Sequence, residues 1–335
     1  MICETYWEFR QWAMVFTNWP VTMKNNAYIV FGFLALVWGM TFLFNKTAST
    51  LITPTQIATV RVFMGFLPVL AVAVIGRKLK WRHLRYAHHF MAMSVLAGSL
   101  YYFSFAKGIQ LLPSSLAGML SGAIPMISFV TAAIFLRDEP INRRSMLGLM
   151  FGFAGVAMIA RPWDASISAH DLAGFGYVGL GSLCVGLSFV YARKFLSPLG
   201  ISPLALCTYQ LGIASLTLLV TIDFTGATAI FDNGWIALGL FFGLGLFGTG
   251  IAYLCYYYVV EKLGAVKAAS ATYIPPIIAV LTGSLILGET VRLLDLVAMA
   301  AIMTGVVVMQ SGRPRKADTN SIPSRAPELC PATNR

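Results

Sequence analysis

Residues Ser114 to Leu136 run for 23 positions without a charged side chain. About 20 apolar residues in a helix suffice to cross the hydrocarbon core of a bilayer, so this stretch is read as a membrane span. It is not a plain lipid-facing one. Ser114, Gly118, Ser121, Gly122 and Pro125 recur at steps of three and four, which puts them on one face. Small residues on one face let a second backbone approach closely. Pro125 lacks an N–H and crowds the preceding turn, so it should bend or open the helix near mid-membrane. The pattern then returns. Ala265 to Thr290 reads AVKAASATYIPPIIAVLTGSLILGET, and Pro125, Glu139 and Gly155 match Pro275, Glu289 and Gly305 at an offset of about 150 residues.

The rest of the chain is of the same kind. It is 58% hydrophobic and 11% charged, whereas soluble domains average about 25% charged. Ten apolar segments are predicted near 27–45, 55–76, 87–106, 113–136, 145–161, 172–192, 203–222, 234–260, 266–287 and 293–311. Their connections are short, which leaves no room for an inserted soluble domain. Residues 1–26 read as an N-terminal cytoplasmic segment, and the polar, Pro- and Arg-rich 312–335 as a disordered cytoplasmic tail.

The basic residues orient these segments. Arg10, Lys24, Arg77, Lys78, Lys80, Arg82, Arg85, Arg137, Arg143, Arg144, Arg193, Lys194, Lys262 and the tail fall on one side. Lys46, Lys107, Arg161 and Arg292 fall on the other, so both termini are expected in the cytoplasm. The acidic Asp164, Asp171, Asp223 and Asp232 collect outside. The net charge of +11 is thus a topological bias and not a nucleic-acid surface. The run RKLKWRHLRY (Arg77–Tyr86) reads as an anchor on anionic lipid heads, each basic residue worth about 1 kcal/mol there. His88 and His89 are read as interfacial. The five cysteines, Cys3, Cys184, Cys207, Cys255 and Cys330, make no CxxC pair and no metal spacing, so they are read as packing. No metal site or cofactor is expected. The N-terminal MICETYWEFRQWAMVFTNWP lacks the layout of a signal peptide, and a later start such as Met23 stays open.

The duplication extends along the chain. Trp38-Gly39-Met40-Thr41-Phe42 parallels Val185-Gly186-Leu187-Ser188-Phe189, and Pro54 and Thr59 parallel Pro203 and Thr208. Each half, 27–161 and 172–311, holds five segments. Five is odd, so the second half enters the membrane upside down relative to the first. The expected fold is an all-α polytopic membrane protein with ten transmembrane helices in two inverted five-helix repeats. Inverted repeats of this kind build a site at the midplane between the halves, exposed alternately as one rocks against the other. Secondary transport follows as the leading reading.

Several stretches carry a family resemblance. They are WGMTF (Trp38–Phe42), Arg61 within TVRVF, FAKGIQLLPSSLAGMLSGAIP (Phe105–Pro125), FLRDEP (Phe135–Pro140), YYYVVEKLGAVKAASATYIPP (Tyr256–Pro276) and LGETV (Leu287–Val291). In order and double occurrence they resemble the drug/metabolite transporter superfamily, in its EamA-like branch, over about Asn26 to Ser311. FLRDEP departs from the LGE form that the second half keeps, and no functional consequence is expected. The resemblance implies a central cavity, with the fifth and tenth helices set apart from it and used by some members to form a homodimer. The chain is thus expected to be a multi-pass protein of a cell membrane, such as a bacterial inner membrane, that moves a small-molecule substrate in export or import, with export the expected direction.

Arg61 is the sharpest single signal. It follows Pro54 by seven residues, about 10 Å along a helix at 1.5 Å per residue. That puts a cation in the outer third of the membrane, where a charge normally faces a wet cavity or a partner. The plain alternative is snorkelling to the surface. Its repeat mate is Gln210, expected in the inner third. Tyr101, Tyr102, Phe105, Tyr253, Tyr256, Tyr257 and Tyr258 gather in the third and eighth segments. Tyr101, Tyr253 and Tyr257 are read as pocket candidates, because tyrosine offers an apolar face and a hydroxyl. Trp38, Thr41, Asn45, Ser104, Ser121, Thr272 and Tyr273 follow, since polar groups at these depths need partners. Pro125, Pro275 and Pro276 mark matched breaks on the pathway. Glu139 and Glu289 are read as favouring the N-termini of the fifth and tenth helices. Gly148, Gly152 and Gly155 form a close-packing face, within or between protomers.

Glu261, Asp223 and Asp295 lie near segment ends, so no acid is expected deep in a span. A buried carboxylate is the usual partner of a cationic drug. The expected substrates are therefore neutral, zwitterionic or anionic metabolites, such as amino acids. Two other readings compete. A membrane-embedded enzyme would need a nucleophile with its base or a metal set, which four histidines and few acids do not supply. A non-transporting scaffold would need neither matched proline breaks nor an intramembrane arginine.

Overall fold

A computed structural model describes residues 24–136, 142–161, 163 and 168–311. The expectations on Cys3, Arg10, Arg137, Glu139, Asp164, Cys330, most of the segment 1–26 and the tail 312–335 lie outside them. Ten helices account for most of the described residues. They are α1 (Lys24–Ala48), α2 (Pro54–Ile75), α3 (87–111), α4 (Ser114–Phe135) and α5 (Arg143–Ala160) in the first half. The second half holds α6 (Ala169–Tyr191), α7 (Pro203–Thr221), α8 (Gly234–Leu263), α9 (265–285) and α10 (Leu293–Ser311). Eight are long and apolar enough to cross a membrane by themselves. The other two are α3, which opens on His88 and His89 and carries Lys107, and α9, which is broken at Ile274.

Local chemistry sets several of these ends. Thr53 caps α2 with a capping box through Gln56, and Pro54 takes the first helical position. Ser202 caps α7 by accepting the Ala205 N–H, and Pro203 takes its first position. The third segment was expected to stop at 106, before Lys107. The helix runs to Leu111, because Lys107 is satisfied locally by Gln110, its Nζ donating to Oε1 at 2.8 Å.

The packing obeys an exchange of each helix for the one five places on. α1 packs on α8 and α9, and α6 packs on α3 and α4. α2 packs on α8, and α7 on α3. The self-matched pairs α2–α7, α4–α9 and α5–α10 also meet. Gly39 of α1 lies against Ile278 of α9, and its mate Gly186 of α6 lies against Ile127 and Ser128 of α4. The architecture is two inverted five-helix repeats.

The matched prolines break their helices as expected. α4 divides at Gly122–Ala123, ahead of Pro125, and α9 passes through a 3-10 turn at Ala271–Tyr273 before Pro275. The two breaks cross, with Gly122 against Pro276. A second matched irregularity lies in α3 and α8. Each loosens into π-helical turns, Val95–Ser99 and Gly239–Ile251. In both, a hydroxyl donates to the carbonyl five residues back, Ser99 to Ser94 at 3.3 Å and Thr249 to Leu244 at 3.1 Å. π-turns inside α-helices are frequently found at functional sites.

The glycine face of α5 is used inside the chain. A methyl on Gly148 would fall on the Gly305 carbonyl and the Met309 backbone of α10, so the two helices touch backbone to backbone.

Candidate functional site

Arg61 sits on α2 where that helix crosses the π-turns of α8. The backbones can meet there because a Cβ on Gly65 would collide with Thr249. The guanidinium points inward and does not snorkel. Arg61 is 7% exposed, its Nε donates to Thr249 Oγ1 at 3.1 Å, and its Cζ lies 4.4 Å from the centre of the Tyr102 ring. A ring face partly solvates a cation, by about 2 kcal/mol when water is excluded. Among the described residues no carboxylate forms an ion pair with it.

Rings extend from this point. Tyr101 lies 4.5 Å from Tyr102 between centroids, and the Tyr102 hydroxyl is 3.4 Å from that of Tyr253. Tyr253 stacks towards Tyr257 at 6.4 Å, and the Cys207 thiol of α7 is within hydrogen-bonding reach of Tyr257. Tyr256 continues the row to Trp38 of α1, with centroids 5.9 Å apart. Helices of both halves thus contribute to one aromatic cluster around one guanidinium. In this conformation the groups rest on one another.

Of the sequence candidates, Arg61, Tyr101, Tyr253 and Tyr257 come together, and Trp38 adjoins them through Tyr256. Gln210 is buried on α7, on the face that meets the π-turn of α3 near Gly98. Thr41 gives its hydroxyl to the Trp38 carbonyl at 2.6 Å and packs its methyl on Gly248. Ser104 faces α6 at Gly181, with its hydroxyl unpaired among the described residues. Ser121 bonds back to Gly118 at 2.6 Å. Pro125, Thr272, Tyr273, Pro275 and Pro276 belong to the crossing of the two helix breaks, where Tyr273 packs beside Met126. Sequence reasoning missed Thr249 and read Cys207 as packing alone. The signal for Thr249 was its hydroxyl mate Ser99, at the same offset as the prolines.

Glu289 is placed differently from expectation. Its carboxylate does not serve α10. Oε1 accepts the Ser114 N–H at 2.7 Å and Oε2 the Ser115 N–H at 2.9 Å, which caps α4 across the repeat boundary. The first turn of α10 is held instead by Asp295, which accepts the Arg292 N–H at 3.0 Å and pairs with Arg161 at the end of α5. The physical reason is supply: α10 carries its own first-turn acid, while α4 opens on Pro113-Ser114 without one. On the other side of the same turn, Lys46 Nζ donates to the carbonyls of Ile109, Gln110 and Leu112 at 3.0, 3.3 and 2.7 Å. The turn between α3 and α4 is thus held by a cation at the helix C-terminus and an anion at the helix N-terminus, each where the peptide dipoles favour it. Asn45, beside Lys46, is 0% exposed, and neither atom of its amide has a hydrogen-bond partner among the described residues.

Comparison with known proteins agrees with this architecture. An uncharacterized transporter of Archaeoglobus fulgidus is 23% identical over 282 residues, 84% of this chain and 98% of its own. The uncharacterized transporter YvbV of Bacillus subtilis is 26% identical over 290 residues, 86% of this chain and 92% of its own. The uncharacterized inner membrane transporter YedA of Escherichia coli K12 is 24% identical, over 84% of this chain and 89% of its own. One solved crystal structure shares the fold, with a TM-score of 0.55 at 16% identity over 85% of this chain and 96% of the other. The sequence model of one family matches the chain twice, at residues 26–161 and 172–310, and the protein belongs to that EamA-like transporter family of multi-pass membrane proteins.

Proposed function

We propose that the protein carries a small organic solute with an anionic or zwitterionic head across the cytoplasmic membrane, by rocking its two halves about the Arg61 cluster. The observation that carries this is the buried guanidinium with rings and a hydroxyl around it and, among the described residues, no carboxylate paired with it. A charge removed from water is normally paired, so an arriving anion would complete the site. The tyrosine faces would hold the apolar part of the solute. Two acids at the helix ends are already engaged and so are not offered to a cation: Glu289 on two N–H groups, and Asp295 on Arg161. The pathway residues are taken to be Arg61, Gln210, Trp38, Thr41, Tyr101, Ser104, Ser121, Tyr253, Tyr257, Thr272 and Tyr273, with hinges at Pro125, Pro275 and Pro276. Both termini are placed in the cytoplasm, and pairing through α5 and α10 would use their lipid-side faces.

Opening to the outside requires the halves to part there. Among the described residues, ties that cross between them on that side include Glu289 to the start of α4, the Arg161–Asp295 pair, and Gln56, whose Nε2 donates to the carbonyls of Asp223 at 2.7 Å and Thr225 at 3.0 Å. Counterflow in proteoliposomes tests the proposal. Amino acids and organic anions should exchange, with export as the expected direction, and Arg61→Ala should lower flux by about two orders of magnitude while the protein still inserts. Uptake of quaternary ammonium compounds alone, or full flux without Arg61, would overturn it.

A further inference from the structure

A second charged place lies far from the Arg61 cluster, on the face that bears the connection between α2 and α3. There Lys80, Arg82, His83 and Arg85 line one side of a cleft of about 220 Å³, and the turn Leu199–Ile201 between α6 and α7 lines the other. The cleft therefore joins the two halves. Its wall is fixed in place. The Tyr209 hydroxyl of α7 accepts the Lys80 N–H at 3.2 Å and lies 3.3 Å from the Lys80 carbonyl. The Tyr209 ring stacks on Phe90 at 4.7 Å and meets His83 edge-on at 5.9 Å.

The chemistry of the lining has one sign. No lining residue is acidic, and among the described residues none of its cations forms an ion pair. Arg85 lies over the Tyr86 ring, its Cζ 4.5 Å from the centre, and one terminal nitrogen donates to the Tyr86 hydroxyl, which leaves its remaining N–H groups to donate elsewhere. His83 is covered by its neighbours but lies shallow. Its pKa is held below the usual histidine value, by loss of water first and by Lys80 and Arg82 next. The cleft is thus a positive pocket, with an imidazole set among its cations. Trp81, beside it, is 88% exposed, as expected of a ring standing in the headgroup layer.

We infer that this cleft binds a phosphate group, the chemistry shared by the headgroup of an anionic phospholipid and by free inorganic phosphate. Two guanidinium forks and an ammonium match phosphate oxygens, and a general positive surface would not need a concave wall pinned to the opposite half. The site is separate from the transport reading and stands without it.

Native mass spectrometry of the purified full chain tests this, with phosphatidylglycerol or inorganic phosphate added in separate arms. Wild type should retain one equivalent, and the K80Q/R82Q double variant should lose at least tenfold in affinity. An R143Q/R144Q variant removes the same charge elsewhere and should bind as wild type does. Melting in phosphatidylcholine nanodiscs checks that all three are folded. Retention of lipid alone assigns the headgroup, and retention of phosphate alone assigns the soluble ion. No retention by wild type, or equal loss in both variants, overturns the site.

Discussion

Two cations of the first half, Lys46 and Arg61, are completed in opposite ways. Lys46 spends its three donors on three backbone carbonyls of one helix end, and Glu289 answers it from the other side of the same turn. Among the described residues Arg61 has one hydrogen bond, to a hydroxyl, and its guanidinium otherwise lies over the Tyr102 ring. A charge whose hydrogen-bonding capacity is filled by backbone fixes a shape. A charge surrounded by soft, sequence-tolerant contacts is left able to take a further partner. The difference separates a charge that holds the fold from one that, on the function proposed above, would serve a solute.

The strongest way to break this contrast is to change Arg61. Arg61→Ala should lower flux by about two orders of magnitude, the size expected when a charge-assisted contact worth about 3 kcal/mol is removed. Arg61→Lys keeps the charge but loses the flat stacking on Tyr102, so it should fall between the two. Initial rates in proteoliposomes at matched insertion measure both. If Arg61→Ala mainly lowers the melting temperature and leaves flux per folded molecule intact, the guanidinium is structural and the contrast fails.

Gly148→Ala serves as the opposite control. Its methyl would press on α10 backbone, which cannot yield as a side chain would, so a loss of about 1–3 kcal/mol in stability is expected. Flux per folded molecule should not change, because the contact lies apart from both charges. Melting scans beside flux assays separate the two effects.

Glu289→Gln probes the filled site more gently. An amide offers one oxygen where the carboxylate offered two charged ones, at a cost of about 1.5–2 kcal/mol. That should raise the outward-open population by about ten- to thirtyfold. A cysteine placed at Leu112, which is buried under the turn, would report it as faster modification by an impermeant thiol reagent. Unchanged labelling would show that the turn does not move.

Much of this was legible in the chain. The number of spans, the matched breaks at Pro125 and Pro275, and the inward placement of Arg61 follow from charge-free length and offset, because a bilayer forces backbone groups to pair within helices. Long-range capping was not legible. Nothing near Glu289 in sequence points to Ser114, and the nearer helix α10 was the reasonable guess until Asp295 proved to serve it. Thr249 was hidden for a different reason. It lies in a glycine-rich run whose π-turns are set by the close crossing with Gly65, a tertiary contact with no local pattern.

The smallest expected effect bears on what the rings contribute. Tyr102→Phe removes a hydroxyl that lies 3.4 Å from that of Tyr253, a long neutral contact worth less than about 1 kcal/mol. It keeps the ring under the guanidinium, so flux should stay within about threefold of wild type. Tyr102→Leu removes the ring face as well and should cost about 1–2 kcal/mol more. The comparison of the two variants therefore isolates the cation–ring contact from the hydroxyl. If Phe proves as damaging as Leu, the hydroxyl pair and not the ring face holds Arg61. The site would then be a hydrogen-bonded network closer in kind to the Lys46 turn than its geometry implies.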